Sequence, residues 1–347
     1  MFVSRIASRP RRPLLLSGIV LGALTAALAA PTAARAATDP PGSMATGLYA
    51  SSKVAGTVSN SCTITGPDGF QYDELTLGRV LKHTLDATRT VTHPNDAADT
   101  QTVRAQATVR TLQTRARGSL DRILVNGDFR VSSTAALGAD TACQTTFRSR
   151  STFEHHFALA AAGFVEVRLT VTGGAVVEGA IATDPDTSTR SFAFAAVGGP
   201  TSSVTRVFLP AGDYVVTGDD GLPGQVPVSG TPTPRTGSSR VALVYTRAGA
   251  ATTQPQGPGR AYVALKERSC AADTVTTRLS SRAGRSARSV VYFVNGSRRA
   301  TVSRPTTGRI LEVTRLGAAR DVTVRAVVRL KNGRAVTVDR SYAACSG

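Results

Sequence analysis

The chain of 347 residues has no tryptophan, two methionines and four lysines against 37 arginines. Lacking tryptophan, it lacks the ring that sugar-binding platforms use most often, and its tyrosines and phenylalanines fall mostly within strand patterns, as core residues do. Catalytic signatures are missing as well. No H-E-x-x-H sets two imidazoles on one helical turn, and no G-x-S-x-G or S-x-x-K supplies an activated serine. No glycine-rich phosphate loop is present. Close C-x-x-C spacing is absent, which argues against a zinc module. The four histidines, His83, His93, His155 and His156, sit in no metal-ligand spacing. His155 and His156 are neighbours, and neighbours in a strand point to opposite faces, so they are not expected to share an ion. Asp73-Glu74 and Asp219-Asp220 are adjacent rather than facing across a cleft, and are expected to be solvated loop carboxylates. Glycosidase chemistry needs two carboxyls about 5–9 Å apart. Asp184-Pro185-Asp186 lacks the rest of a calcium loop. No cofactor and no metal site are expected.

Past the amino end, no apolar run is long enough to cross a bilayer, so no transmembrane anchor is expected. The amino end itself has a basic head (Arg5, Arg9, Arg11, Arg12), a short apolar run from Leu14 to Leu28, and a small-residue tail ending Ala34-Arg35-Ala36. That order predicts a cleaved signal peptide over residues 1–36 and a secreted product, extracellular or associated with the cell wall. Arg11-Arg12 loosely resembles a twin-arginine signal, with the general secretory route as the default. Cys62, Cys143, Cys270 and Cys345 make an even count in an exported chain, which favours disulfides. Four cysteines allow three pairings. The sequential one, Cys62–Cys143 and Cys270–Cys345, is expected because the others would tie distant parts of the chain together.

The pattern predicts an all-β protein of two or three tandem sandwich domains of jelly-roll or immunoglobulin-like type. Residues 37–152 read as a first β unit: Val103, Ala105, Ala107 and Val109 alternate with polar residues, the period of a half-buried strand. Asn126-Gly127 between two apolar runs reads as a hairpin turn. Residues 153–248 carry short strand candidates separated by Gly and Pro, with Gly218 to Ser239 as a mobile loop. Here Phe157-Ala158-Leu159, the strand Val165 to Val171 and Leu209-Pro210-Ala211-Gly212-Asp213-Tyr214 resemble the bacterial pre-peptidase C-terminal β-sandwich modules. That resemblance implies an accessory rather than a catalytic domain. Residues 249–261, rich in Pro, Gly, Gln and Thr, read as a linker. Residues 262–347 predict a small sandwich with hairpin turns at Asn295-Gly296 and Asn332-Gly333. Through Tyr292-Phe293-Val294-Asn295-Gly296 and the terminal Cys345, it resembles the arginine-rich immunoglobulin-like modules of secreted bacterial proteins.

Charge is uneven. Residues 262–347 hold 17 basic and 5 acidic side chains, a balance of +12, whereas residues 37–261 hold 19 and 18. The basic segment predicts attachment to an anionic cell-wall polymer or another extracellular polyanion, through Arg298, Arg299, Arg304, Arg325 and Arg329. The expected function is a non-catalytic surface- or wall-associated binding or structural protein. The alternatives are an accessory protein of a secreted hydrolase system, or a hydrolase with a site near His155 and His156.

Overall fold

A computed structural model describes residues 42–54, 62–135, 143–183, 190–225 and 234–347. The expected signal peptide and Asp184-Pro185-Asp186 lie outside the described residues. The first part of the chain forms β1 (Gly42–Val54), β2 (Thr63–Thr65), β3 (Gln71–Glu74), β4 (Leu81–His93), β5 (Asp96–Ala116), β6 (Ser119–Ala135) and β7 (Cys143–Leu159). It continues through β8 (Gly163–Thr172), β9 (Val176–Ala182), β10 (Arg190–Val197), β11 (Thr201–Leu209), β12 (Gly212–Gln225) and β13 (Arg235–Arg247). These strands build two antiparallel sheets. One has six strands in the order β10-β9-β12-β7-β1-β3, and the other seven in the order β11-β8-β13-β6-β5-β4-β2. The expected all-β sandwich fold is what is seen.

Alternation sets which side of each strand is buried. Along β7, Phe147, Ser149, Ser151, Phe153, His155 and Phe157 all point inward, and the residues between them point out. One apolar core, from Met44 on β1 to Leu243 on β13, lies between the two sheets. Each fully buried Leu, Ile, Val or Phe in it contributes about 1.5–3 kcal/mol relative to exposure. The boundary drawn from sequence at residue 152 falls inside β7. Strands from both sides of it alternate in both sheets around that one core. The Pro210-Ala211 turn carries the chain from β11 in one sheet to β12 in the other, and the Tyr214 hydroxyl donates to the Pro210 carbonyl at 3.1 Å.

Two sequence expectations are corrected here. Asn126-Gly127 is not a turn: it lies inside β6, where Gly127 pairs with Val109 on one side and Ser239 on the other. The glycine is there for room, since a Cβ would stand 2.6 Å from the Asp220 carboxylate of the facing sheet. Nor is Gly218 to Ser239 one loop. β12 extends to Gln225 and β13 begins at Arg235, with residues 226–233 outside the described residues.

The second part forms β14 (Val263–Ser269), β15 (Thr274–Leu279), α1 (Ser281–Ser286), β16 (Ala287–Val294), β17 (Ser297–Ser303), β18 (Ile310–Thr314), β19 (Val322–Leu330) and β20 (Ala335–Tyr342). Its sheets are β14-β15-β18 and β17-β16-β19-β20, around a second core that includes Tyr292 and Tyr342. Here Asn-Gly does turn the chain. Asn295 (φ 48°) and Gly296 (φ 83°) join β16 to β17, and Gly333 (φ 83°) joins β19 to β20. Arg268 is fully buried and donates to the carbonyls of Ala343 (2.9 Å) and Gly317 (2.9 Å) and to Asp273 (3.0 Å). The segment expected as a linker is tied along β20, with Gln256 and Asp339 exchanging backbone hydrogen bonds of 2.9 and 3.0 Å.

The disulfides are Cys62–Cys143 and Cys270–Cys345, the sequential pairing. Cys62 leads into β2 of the seven-stranded sheet, and Cys143 opens β7 of the six-stranded one, so the first bridge staples the two layers together. Among the described residues, no helix is long and apolar enough to cross a membrane. The Cys62–Cys143 bridge closes a separation of 81 residues, so replacing both cysteines by serine is expected to lower unfolding free energy by about 4 kcal/mol. Urea titration under non-reducing conditions measures this, and an unchanged midpoint contradicts it.

Candidate functional site

The arginines predicted as a polyanion site fall on the β17-β16-β19-β20 sheet. On β19, Arg325 and Arg329 alternate with the buried Val324, Ala326 and Val328, so both face out. The register runs Arg298–Phe293–Arg325–Asp339 across the four strands, and four residues further along β19 Ser303–Ser289–Arg329–Ala335. Half-buried Val291 and Val327 lie between these rows. The sheet thus brings Arg298, Arg325 and Arg329 onto one face. Arg299 and Arg304 flank it: Arg299 is the extra residue at a bulge opposite Tyr292 and Phe293, and Arg304 takes a left-handed turn (φ 55°) just past β17. Arg325 donates to Asp339 at 2.6 Å, and Arg298 to the Thr301 hydroxyl at 2.8 Å. Of the acids in this part of the chain, Glu267, Asp273, Asp321 and Asp339 are each ion-paired to an arginine. The remaining exposed arginines therefore keep a net positive field.

A second surface of different character lies on the outer face of the six-stranded sheet. A continuous row, Tyr72–Ala45–Thr152–Asp219–Glu178–Ala195, crosses all six strands from β3 to β10. The parallel row beside it is Glu74–Ser43–Glu154–Thr217–Ala180–Ala193. Small side chains make the floor, and the sheet curls around a trough of about 850 Å³. Gly179 and Gly218 pair at its centre. A Cβ on either would meet the Phe194 or Phe153 ring at 2.5 Å, so paired glycines are what let those rings pack beneath the bend. Asp219 sits at the bottom, accepting from Arg148 and, at 2.9 Å, from Arg150. Those guanidiniums reach it across Gly221, which leaves the surface bare between them. Glu154 and His156 pair at 2.6 Å along the same face.

The next residue, Asp220, points the other way. It is fully buried between the sheets and accepts from the Ser239 hydroxyl on β13. Its Oδ1 and the buried hydroxyls of Ser149 and Ser151 have no hydrogen-bond partner within the protein. Desolvation raises its pKa to about 7, with the neighbouring Asp219 charge adding to the rise and the Ser239 bond opposing it. His155 is equally enclosed. Its Nδ1 lies 3.0 Å from Gln113 Oε1 and its Nε2 2.9 Å from Thr111 Oγ1. Gln113 already donates its amide to the His156 carbonyl at 2.7 Å, so its Oε1 accepts and the imidazole proton sits on Nδ1. The single Thr111 hydroxyl proton is shared between two acceptors, Nε2 and the Leu124 carbonyl at 3.1 Å, and the ring is neutral. Burial, and secondarily the His156 charge, lowers its pKa to about 3. A third knot joins Thr46, His83 and Asp73: His83 Nδ1 lies 3.1 Å from Thr46 Oγ1 and Nε2 2.9 Å from Asp73 Oδ2. The order hydroxyl–imidazole–carboxylate is that of a hydrolytic triad. The Thr46 hydroxyl, however, is sealed at 1 % exposure, so the knot ties β1, β3 and β4 together.

No family model matches this chain, and no curated protein does. Solved structures with a distant likeness include two streptococcal domains. The glycoside hydrolase domain of Endo-D from Streptococcus pneumoniae is 11 % identical, with 58 % of this chain and 33 % of that one covered and a TM-score of 0.16. The chain thus spans a third of that domain. The adhesin domain of Epf from Streptococcus pyogenes is 8 % identical, with 74 % and 82 % covered and a TM-score of 0.18. At these scores neither lends this chain a fold or a function.

Asp219 and Asp220, read from sequence as solvated, are both nearly inaccessible, because β12 continues through the Gly- and Pro-rich stretch instead of ending before it. Exposed Tyr49, Phe70 and Tyr72 were also missed. Phe70 and Tyr72 have the spacing of one strand face, and only the pairing of β3 with β1 sets Tyr72 level with the outward Ala45. The two buried groups make opposite demands on pH. Folded Asp220 keeps its proton up to about pH 7 whereas the unfolded carboxyl releases it near 3.8, so its contribution to stability falls as pH rises through that window. Folded His155 refuses a proton down to about pH 3 that the unfolded ring takes near 6.5, so its contribution rises with pH through that window. Between pH 4 and 6.5 the slopes oppose each other. Asp220→Asn is expected to leave stability rising with pH by about 1.4 kcal/mol per unit, and His155→Gln to leave it falling comparably. Urea titrations across the window decide this. Parallel profiles for both variants and the parent contradict it.

Proposed function

We propose that this is an exported, non-catalytic binding protein that attaches to an extracellular polyanion, such as an anionic cell-wall polymer, through the outer face of the β17-β16-β19-β20 sheet. The observation that carries this reading is the placement of Arg298, Arg325 and Arg329 around a half-exposed apolar centre with Asp339 as the one acid in those rows. A repeating anionic chain gains from several fixed guanidiniums at once. Each guanidinium offers a planar fork to phosphate or carboxylate, so less side-chain freedom is lost per hydrogen bond formed. The apolar centre of Val291, Phe293 and Val327 adds contact area to the charge. Both disulfides fit an oxidising exterior, where such polymers are found.

The test is elution from immobilised heparin at increasing salt. The triple variant Arg298→Ser, Arg299→Ser, Arg329→Ser is expected to elute at clearly lower salt than the parent, because exposed charges act over about a Debye length. Arg325 is retained in it as the partner of Asp339. The control Arg278→Ser, Arg285→Ser, Arg309→Ser removes equal charge away from this face and is expected to shift little. Equal shifts in the two triples mean that bulk charge alone retains the protein, and the proposed face is then wrong.

A further inference from the structure

We infer that the trough on the outer face of the six-stranded sheet binds an uncharged, hydroxyl-rich saccharide chain, a second site whose ligand differs from that of the basic face. The dimensions come first. Six strands side by side make a continuous surface about 24 Å across, and a volume near 850 Å³ is ample for several sugar rings. The chemistry comes next. Tyr72, 56 % exposed, is the aromatic ring at the trough's rim, while Tyr49 (43 %) and Phe70 (55 %) are exposed further along the same face, outside the trough itself. Tyr49 and Phe70 stand 3.6 and 3.7 Å from the bare Cβ position of Gly47, and Tyr72 heads the six-strand row. Side-on faces of sugar rings are apolar and stack on such rings, while their hydroxyls need fixed polar partners. The trough supplies them in Glu178, Thr152, Thr217 and the ion-paired Asp219–Arg150, held on strands rather than loops.

Other ligand classes fit less well. A polyanion would meet Glu74, Glu154, Glu178 and Asp219, while Arg148 and Arg150 are already committed to Asp219. A peptide strand binds through unpaired backbone at a sheet edge, and here a face is offered, whose four central strands are paired on both sides. The floor of Ala45, Ala180, Ala193 and Ala195 leaves room for a chain to lie flat across the strands. The site shares no residue with the basic face, so either assignment can fail without the other.

The experiment is isothermal titration of the full mature chain with four uncharged hexasaccharides: cellohexaose, maltohexaose, mannohexaose and chitohexaose. Sub-millimolar binding of at least one, insensitive to salt, is expected. Tyr72→Ala and Glu178→Ala, both at exposed positions, are each expected to weaken it about tenfold, equivalent to 1.4 kcal/mol. Ala195→Trp, which fills the floor from the solvent side, is expected to abolish it with an unchanged thermal midpoint. The arginine triple variant of the basic face is expected to bind the same sugar as the parent does. Failure of all four sugars, affinity that collapses with salt, or unchanged binding in Tyr72→Ala and Ala195→Trp overturns the assignment.

Discussion

Successive side chains in a strand leave its two faces alternately, and most of what is distinctive in this protein follows from that two-residue period. Asp219 and Asp220 are neighbours in sequence and have nothing else in common. One lies at the bottom of an outer trough between two guanidiniums, and the other is enclosed between sheets against a serine of the opposite layer. His155 and His156 divide in the same way, one neutral and sealed, the other paired with Glu154 at the surface. A shift of one residue in β7 or β12 would exchange every one of these environments. Register is therefore fixed strongly, by Phe147, Phe153 and Phe157 on one face and by the charges on the other.

Much of this was legible before any coordinates. The alternation of Val103 to Val109 named β5, the even cysteine count named two bridges, and Asn295-Gly296 named a hairpin. The expectation that His155 and His156 face opposite ways also held. What could not be read was which strand would lie beside which. Asn126-Gly127 has the same local chemistry as Asn295-Gly296. One dipeptide turns the chain and the other runs straight, because β6 is flanked on both sides by long partners and faces a buried carboxylate that needs the missing Cβ. Tertiary pairing overrides turn propensity there. The stretch after Gly218 misled for the opposite reason: its glycines and proline resemble a loop, but in β12 Gly218, Gly221 and Gly224 let neighbouring rings and backbone approach closely.

The two faces considered as binding surfaces differ in sign as well as shape. The outer face of the β17-β16-β19-β20 sheet is arginine-rich around an apolar centre, and the trough is lined by carboxylates and small residues with Tyr72 at its rim. Charge arithmetic over long segments found the first and passed over the second, since residues 37–261 nearly balance. That balance hides local structure. Arginines of β7 gather at Asp219 and leave Glu154 and Glu178 to set the character of the rest of the surface. The buried knots at Asp220, His155 and His83 are the polar cost of a wide sandwich whose inner faces are not wholly apolar.

The three Asn-Gly dipeptides will not age alike. Loss of ammonia from asparagine needs the following glycine nitrogen to fold back onto the side-chain amide, which bent backbone permits and extended, doubly paired backbone resists. Asn126 is locked straight in β6, whereas Asn295 and Asn332 sit in open turns at the two ends of the arginine-bearing sheet. Old molecules should therefore acquire new carboxylates at the tips of the positively charged layer first, so that its field wanes with time while the trough stays chemically young.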